Sequence, residues 1–294
     1  MADVSGQADL RGIDVDKAAK GFADEASVLK GMCLNSPTSA REIRWYQKTS
    51  GFLAGTTTTG ITSDLGSNTD QLALPTVIEQ SWTRQTSYVR KYFFESPPLS
   101  IEDIADTDVS ILLTNIRDIV RAVGNLVDTR IYNVITESLS PSTINTTAAT
   151  GNGWDDTSNG NPILDIMTGN QKIRSYGYNP NGAILYINSI EHKNLMNYLI
   201  TVKGSSIPAF SSDLITKHAV MELLGNNVVV SENATTDYAL QFLNQTSCSW
   251  KSFIGMKAVT IKDPGIGTTI RAWEEGEALL TDPKSVHLIT DTVT

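Results

Sequence analysis

Between Val109 and Ile135 the apolar residues recur three and four positions apart: Val109, Leu112, Leu113, Ile116, Ile119, Val120, Val123, Val127, Ile131, Val134 and Ile135. That spacing lays a single apolar stripe along a helix. Asp106, Thr107 or Asp108 can cap its start, and Pro141 lies just beyond its end. The pattern predicts a helix over about 107–139, roughly 45 Å long at 1.5 Å per residue, against a globular mean of about 11–12 residues. The stripe mixes threes and fours without a sustained heptad, so the helix is expected to cross a domain as a strut and not to form a coiled coil.

Ahead of the helix the pattern is different. Residues 1–48 mix charge with glycine and offer one short helical candidate, Asp14–Leu29, which reads as an arm with little core of its own. Thr49–Thr83 contains no Lys or Arg and is rich in Thr, Gly and Ser. Thr favours strands and Gly permits turns, so Thr56–Thr59 between Gly55 and Gly60 suits the tip of a long hairpin. Ser87–Glu95 is aromatic and β-prone, and Pro97-Pro98 ends it.

Beyond the helix, Ser138–Asn161 is a second polar stretch without Lys or Arg, read as a boundary or surface loop. Helix and strand then alternate. Helices are expected at Ile163–Ser175, from a Ser189 cap to about Val202, and at Asp213–Leu224. Strands are expected at Ala183–Asn188, Val228–Ser231, Tyr238–Leu243, Trp250–Ile261 and Thr268–Trp273. Ala278–Thr281 and Ser285–Thr290 read as a closing hairpin around Asp282-Pro283-Lys284. The fold class is α+β, compact after about residue 160 and extended before it.

The chain has 294 residues, 23 Lys and Arg against 32 Asp and Glu, and a formal net charge of -9. The acidic excess argues against gripping nucleic acid through counterion release. No apolar run reaches the roughly 18 residues of a membrane span, and the N-terminus lacks an apolar signal core, so the chain reads as one made and kept in a cytoplasm. Cys33 and Cys248 are too few for a disulfide framework and read as buried small apolar residues.

Reactive constellations are missing from the pattern. His192, His218 and His287 are isolated, with no metal-ligand spacing around them. Gly265-Ile266-Gly267 leads into a strand where a dinucleotide fingerprint needs a helix, and reads as a turn. The pairs Asp155-Asp156 and Glu274-Glu275 read as solvated charges, because neighbours on a strand point to opposite faces. Arg84, Arg90 and Lys91, interleaved with Trp82, Tyr88, Tyr92, Phe93 and Phe94, are expected to meet acidic residues of a neighbouring subunit. No catalytic, cofactor-binding or metal site is expected.

The segments TSYVRKYFFESPPLSIEDI leading into RDIVRAVGNLVDTRIYNVI, and LLGNNVVVSENATTDYALQFL with SCSWKSFIGMKAVTIKDPG, make the chain resemble the major capsid proteins of the tailed-phage and herpesvirus lineage, with the Hong Kong 97-type fold. The resemblance runs from about Trp45 to Thr290. It implies an N-terminal arm (1–48), an extended loop (49–94), a peripheral domain (95–159) with a spine helix at about 107–139, an axial domain (160–275) and C-terminal strands of the peripheral domain (276–294). It implies a structural, non-enzymatic virion protein that assembles in the host cytoplasm, as hexamers and pentamers, into an icosahedral shell around double-stranded DNA touched only weakly. Expected partners are further copies of itself, a separate scaffolding protein and a portal, with no membrane and no cofactor. Inter-subunit contact candidates are Thr57, Thr58, Leu65, Leu72, Leu74, Trp82, Arg84, Arg90 and Lys91. Without a lysine between Lys48 and Lys91, no loop-lysine cross-link between subunits is expected. An encapsulin-type cage holding enzyme cargo shares the fold and stands as the alternative. A hydrolase built on the 160–275 unit, with Asp213 or Glu191 beside His192 or His218, would lack a nucleophile at recognisable spacing.

Overall fold

The computed structural model describes residues 28–48, 82–100, 110–203 and 222–293. The chain forms two compact units, each assembled from three separate segments. The first gathers the chain up to Ile43, Thr86–Ile131 and Ser249–Leu279; the second gathers Arg44–Gln85, Tyr132–Cys248 and the segment from Leu280 onward.

The long helix is present as α2, Ser110–Ile135, following a single short turn of helix, α1, at Leu29–Met32. Ile116, Val120, Val123, Val127, Ile131 and Ile135 are all completely buried, so the three-and-four stripe is the buried face. At 26 residues, α2 spans roughly 39 Å.

In the first unit this stripe lies on a five-stranded sheet. Its strands are β1 (Leu34–Pro37), β4 (Arg90–Glu95), β5 (Leu99–Ser100), β11 (Cys248–Asp263) and β12 (Gly267–Leu280), in the order β1-β11-β12-β4 with β5 also on β12. Ile116, Val120 and Val123 pack with Met256, Ala258, Ile270 and Ala272, partly sheltered by Tyr92, Leu99 and Ile119. The two long strands meet at a tight turn where Gly265 takes a positive φ of 79°, as expected of Gly265-Ile266-Gly267. A separate two-stranded ribbon pairs β2 (Glu42–Lys48) with β3 (Trp82–Tyr88).

The second unit is a six-stranded mixed sheet in the order β6-β13-β10-β7-β9-β8. Its strands are β6 (Asn145–Ala148), β7 (Ile184–Ile187), β8 (Glu222–Leu223), β9 (Asn226–Val230), β10 (Tyr238–Phe242) and β13 (Val286–Thr290). Among the described residues, two α-helices lie wholly within this unit. Helix α3 (Pro162–Ser175) starts with Pro162 in its first turn and Asn161 Oδ1 accepting from Leu164 N at 3.2 Å. Helix α4 (Ser189–Tyr198) is capped by Asn188, one residue before the expected Ser189, and passes into a π-helical turn over Leu199–Lys203. The core joins Trp154, Ile166, Leu185, Ile187, Leu195, Ala239 and Ile289, all completely buried.

Three expectations are corrected. Ala278–Thr281 and Ser285–Thr290 do not form a hairpin: residues 278–280 finish β12, while β13 runs antiparallel to β10 and parallel to β6. A short link around Asp282-Pro283-Lys284 looks like a hairpin turn, but the largely buried β13 satisfies its backbone between β6 and β10 of another sheet. Ser138–Asn161 is more than a surface loop, because β6 adds to that sheet and Trp154 is part of the core, its indole donating to Asp165 Oδ2 at 2.8 Å. Glu222-Leu223, expected at the end of a helix, is a short strand paired with β9; the remainder of the Asp213–Leu224 expectation, and Asp14–Leu29 apart from its last two residues, lie outside the described residues.

The linear division into 160–275 and 276–294 also differs from the observed units. Residues 249–279 belong with α2 in the first unit, and residues from Leu280 onward belong to the second.

Candidate assembly surface

Glu274 and Glu275, expected to be solvated, are buried, and so is Glu277: 1%, 6% and 0% exposed. Buried carboxylates need partners, since an unpaired ion in a protein interior costs several kcal/mol. Lys30 Nζ reaches Glu274 Oε1 at 2.5 Å, and Arg41 lies 3.4 Å from Glu275 Oε2. Arg130 of α2 binds Glu277 Oε1 through both Nε and Nη2, while Arg90 of β4 lies 3.5 Å from Glu277 Oε2. One acidic strand thus ties together the arm, β4 and the long helix. Burial, and then the negative charge of Glu277, push the neighbouring Tyr92 phenol up to about 12.

The arm is held a second time. Asp128 of α2, completely buried, accepts the backbone N–H groups of Val28, Leu29 and Lys30 at 2.7, 3.2 and 3.3 Å. These groups open the turn α1, where no earlier carbonyl is available to receive them.

The residues expected to meet neighbouring subunits separate into three sets. Thr57, Thr58, Leu65, Leu72 and Leu74 lie outside the described residues. Trp82 and Arg84 project from β3 into solvent, Trp82 being 53% exposed. Arg90 and Lys91 are adjacent on β4 and diverge: Arg90 finds Glu277 within its own chain, while Lys91 lies over the rings of Phe93 and Trp273. They therefore do not act as one basic cluster.

Elsewhere in the second unit Trp45 Nε1 and Gln47 Nε2 both donate to the Leu280 carbonyl, at 3.2 and 3.1 Å, leaving Tyr46 between them 65% exposed. A two-stranded ribbon with exposed aromatic residues is marginal by itself and gains from a surface to lie on.

Among the described residues no group of three or more His, Cys, Asp or Glu is arranged to hold a metal. His287 is buried on β13 with Nε2 2.9 Å from the Thr147 hydroxyl, and burial followed by the charge of Lys172 pushes its pKa down to about 4. His192 is lowered by burial. His218 lies outside the described residues. Cys33 and Cys248 are buried and not joined as a disulfide. A groove of about 290 Å³ beside α2 is lined by Phe94, Glu95, Ser96, Pro97, Asn115, Asp118, Ile119 and Ala122.

No protein-family model and no curated protein matches the sequence. Solved structures do. The virus-like particle from Pyrococcus furiosus superposes with a TM-score of 0.63 at 12% identity, over 95% of this chain and 99% of that one. The capsid of cyanophage P-SCSP1u gives 0.61 at 11% identity, over 90% and 88%. The mature capsid of bacteriophage PhiM1 gives 0.59 at 12% identity, over 90% and 86%. The chain has the Hong Kong 97-type capsid fold. In the vocabulary of that fold α2 is the spine helix, and β11 and β12 with β4 form the sheet on which it rests. The sequence resemblance had implied this fold, and the similarity in three dimensions persists where identity has fallen to between 11% and 14%.

Proposed function

We propose that this chain is the major structural protein of an icosahedral capsid, assembling in the host cytoplasm as hexamers and pentamers into a shell that encloses a double-stranded DNA genome. The observation that carries the reading is the end-to-end correspondence with capsid subunits, above 85% of both chains in each of the phage comparisons given. The extended loop at residues 49–94, with Thr57, Thr58, Leu65, Leu72, Leu74, Trp82 and Arg84, would complete its hydrogen bonds and apolar contacts on a neighbouring subunit. Residues 1–48 would form the arm and 95–159 carry the spine; with residues 249–279 grouped beside the spine and residues from Leu280 onward grouped with 132–248, the strands at 249–279 would belong to the peripheral domain and the C-terminal strand to the axial domain. An acidic chain would line the packed genome without adhering to it, and a separate scaffolding protein and a portal would guide closure.

A second reading fits the same correspondence. The virus-like particle from Pyrococcus furiosus matches over 99% of its own chain, and a shell of this fold could hold protein cargo in place of a genome, as an encapsulin does.

Expression of the chain alone, examined by negative-stain electron microscopy and by size-exclusion chromatography with light scattering, tests both. Closed shells, tubes or discrete pentamers and hexamers are the expected outcome, and co-purifying DNA or cargo enzyme then separates the two readings. A monomer that no condition or scaffold assembles would overturn both.

A further inference from the structure

The sheet of the first unit has two faces of opposite character. Met256, Ala258, Ile270 and Ala272 point toward α2. Alternation along each strand therefore turns Lys251, Phe253, Lys257 and Val259 of β11 the other way, together with Arg271, Trp273 and Glu275 of β12. The register of β4 sets Glu95, Phe93 and Lys91 opposite those three. Phe93 is 55% exposed and Val259 44%.

The charges on this outer face do not cancel. Arg271 pairs with Glu95 at 2.7 Å, and Arg41, lying over the Phe253 ring, pairs with Glu275 at 3.4 Å. Lys91, Lys251 and Lys257 have no carboxylate partner among the described residues. Lys91 Nζ is instead 5.6 Å from the centroid of Phe93 and 5.5 Å from that of Trp273. With Asp263, exposed at the end of β11 on the same side, five cations against three carboxylates give this face +2, so the rest of a chain whose total is -9 carries -11.

We infer that this face is a docking surface for an acidic surface of a second copy of the chain. The inference rests on the shell reading and names one of its contacts. A positive patch that seeks negative charge elsewhere on an identical molecule makes a head-to-tail contact, the kind that closes into rings. Phe93, Trp273 and Val259 supply an apolar centre that water leaves on docking, and the lysines supply register and steering. Phosphate could approach the same lysines, but the remaining -11 repels a polyanion while making every copy an attractive partner for this face.

The test compares wild type with Lys257→Glu and with the double variant Lys91→Gln/Lys257→Glu. Assembly is followed by light scattering and electron microscopy from about 50 to about 500 mM NaCl, a range over which exposed charges become screened. Lys257 is exposed, so circular dichroism and the thermal midpoint of the dissociated subunit should not move. The double variant is expected to require at least about tenfold more protein to assemble, a penalty that shrinks as salt rises. Assembly equal to wild type at low salt would overturn the inference and leave the shell reading standing. Wild-type-like assembly accompanied by loss of binding to a single-stranded DNA oligonucleotide would overturn it in favour of a nucleic-acid surface. A wild-type chain that never assembles would remove the shell reading, and the inference with it.

Discussion

Val28 donates its backbone N–H to Asp128 Oδ2 at 2.7 Å, across a sequence separation of 100 residues. Together with the bonds from Leu29 and Lys30, this places one buried carboxylate of the spine helix in charge of where the arm turns. Hydrogen bonds to an ionised group contribute about 1.5–3 kcal/mol each, and a donor left unsatisfied costs about 1–3 kcal/mol.

Asp128→Ala is therefore expected to destabilise the subunit by about 2–4 kcal/mol and to release the arm. Urea unfolding measures the first effect. Amide hydrogen exchange at residues 28–32 measures the second, and exchange as slow as in wild type would show that other contacts hold the arm.

Asp165 has a comparable position in the second unit, with Trp154 Nε1 on one oxygen and the backbone N–H and hydroxyl of Thr150 on the other at 3.0 and 2.6 Å. Asp165→Ala leaves a core indole without an acceptor, so a loss of about 2–4 kcal/mol is expected. Increased tryptophan fluorescence quenching by acrylamide would report the loosened Trp154, and unchanged quenching would count against the assignment.

His287 gives a pH dependence whose sign follows from its lowered pKa. The folded chain holds the imidazole neutral down to about pH 4, whereas the unfolded chain takes up a proton near its ordinary value of about 6.5. Stability from this group is intact above about pH 6.5. It then falls by about 1.4 kcal/mol per unit as the pH drops toward 4, about 3 kcal/mol in all. His287→Gln should flatten that part of the stability profile in urea titrations at successive pH values. An identical slope in the variant would assign the acid sensitivity to other groups.

Gly169 of α3 sits where a Cβ would lie 1.6 Å from Gln241 Oε1 and 2.7 Å from His287 Cδ2. Gly169→Ala is expected to push α3 off the sheet, at a cost of about 1–3 kcal/mol. Adding Gln241→Ala should recover part of that loss, because the two changes share one space. Strictly additive losses in thermal unfolding would argue that the helix does not approach so closely.

How much of this was legible beforehand depends on the distance between partners. The α2 stripe could be read because Ile116, Val120, Val123, Val127 and Ile131 carry their own period, and local turn chemistry announced the starts of α3 and α4 to within a residue. Glu274 and Glu275 looked solvated because nothing nearby in sequence neutralises them; Lys30 is 244 residues from Glu274 and Arg41 is 234 from Glu275. The destination of β13 was hidden for the same reason, since Asp282-Pro283-Lys284 has the composition of a turn whichever sheet follows. Arg90 and Lys91 looked like one basic cluster because adjacency in sequence does not reveal that a strand sends neighbours to opposite faces of different character. Trp154 could have been suspected, as the sole aromatic residue in a polar stretch that also carries the glycines and asparagines of tight turns.

The interleaving of the two units limits how this protein can change. The chain passes from one unit to the other five times, at 43–44, 85–86, 131–132, 248–249 and 279–280. A single genetic crossover therefore cannot exchange one unit for that of a relative without splitting the other, and neither unit corresponds to a continuous stretch of gene. Each is inherited with its counterpart, so divergence has to proceed by substitution within both together or by growth of the connecting loops, while the order of elements stays fixed. That constraint is compatible with a backbone that still superposes over about 90% of its length where only 11% of residues agree.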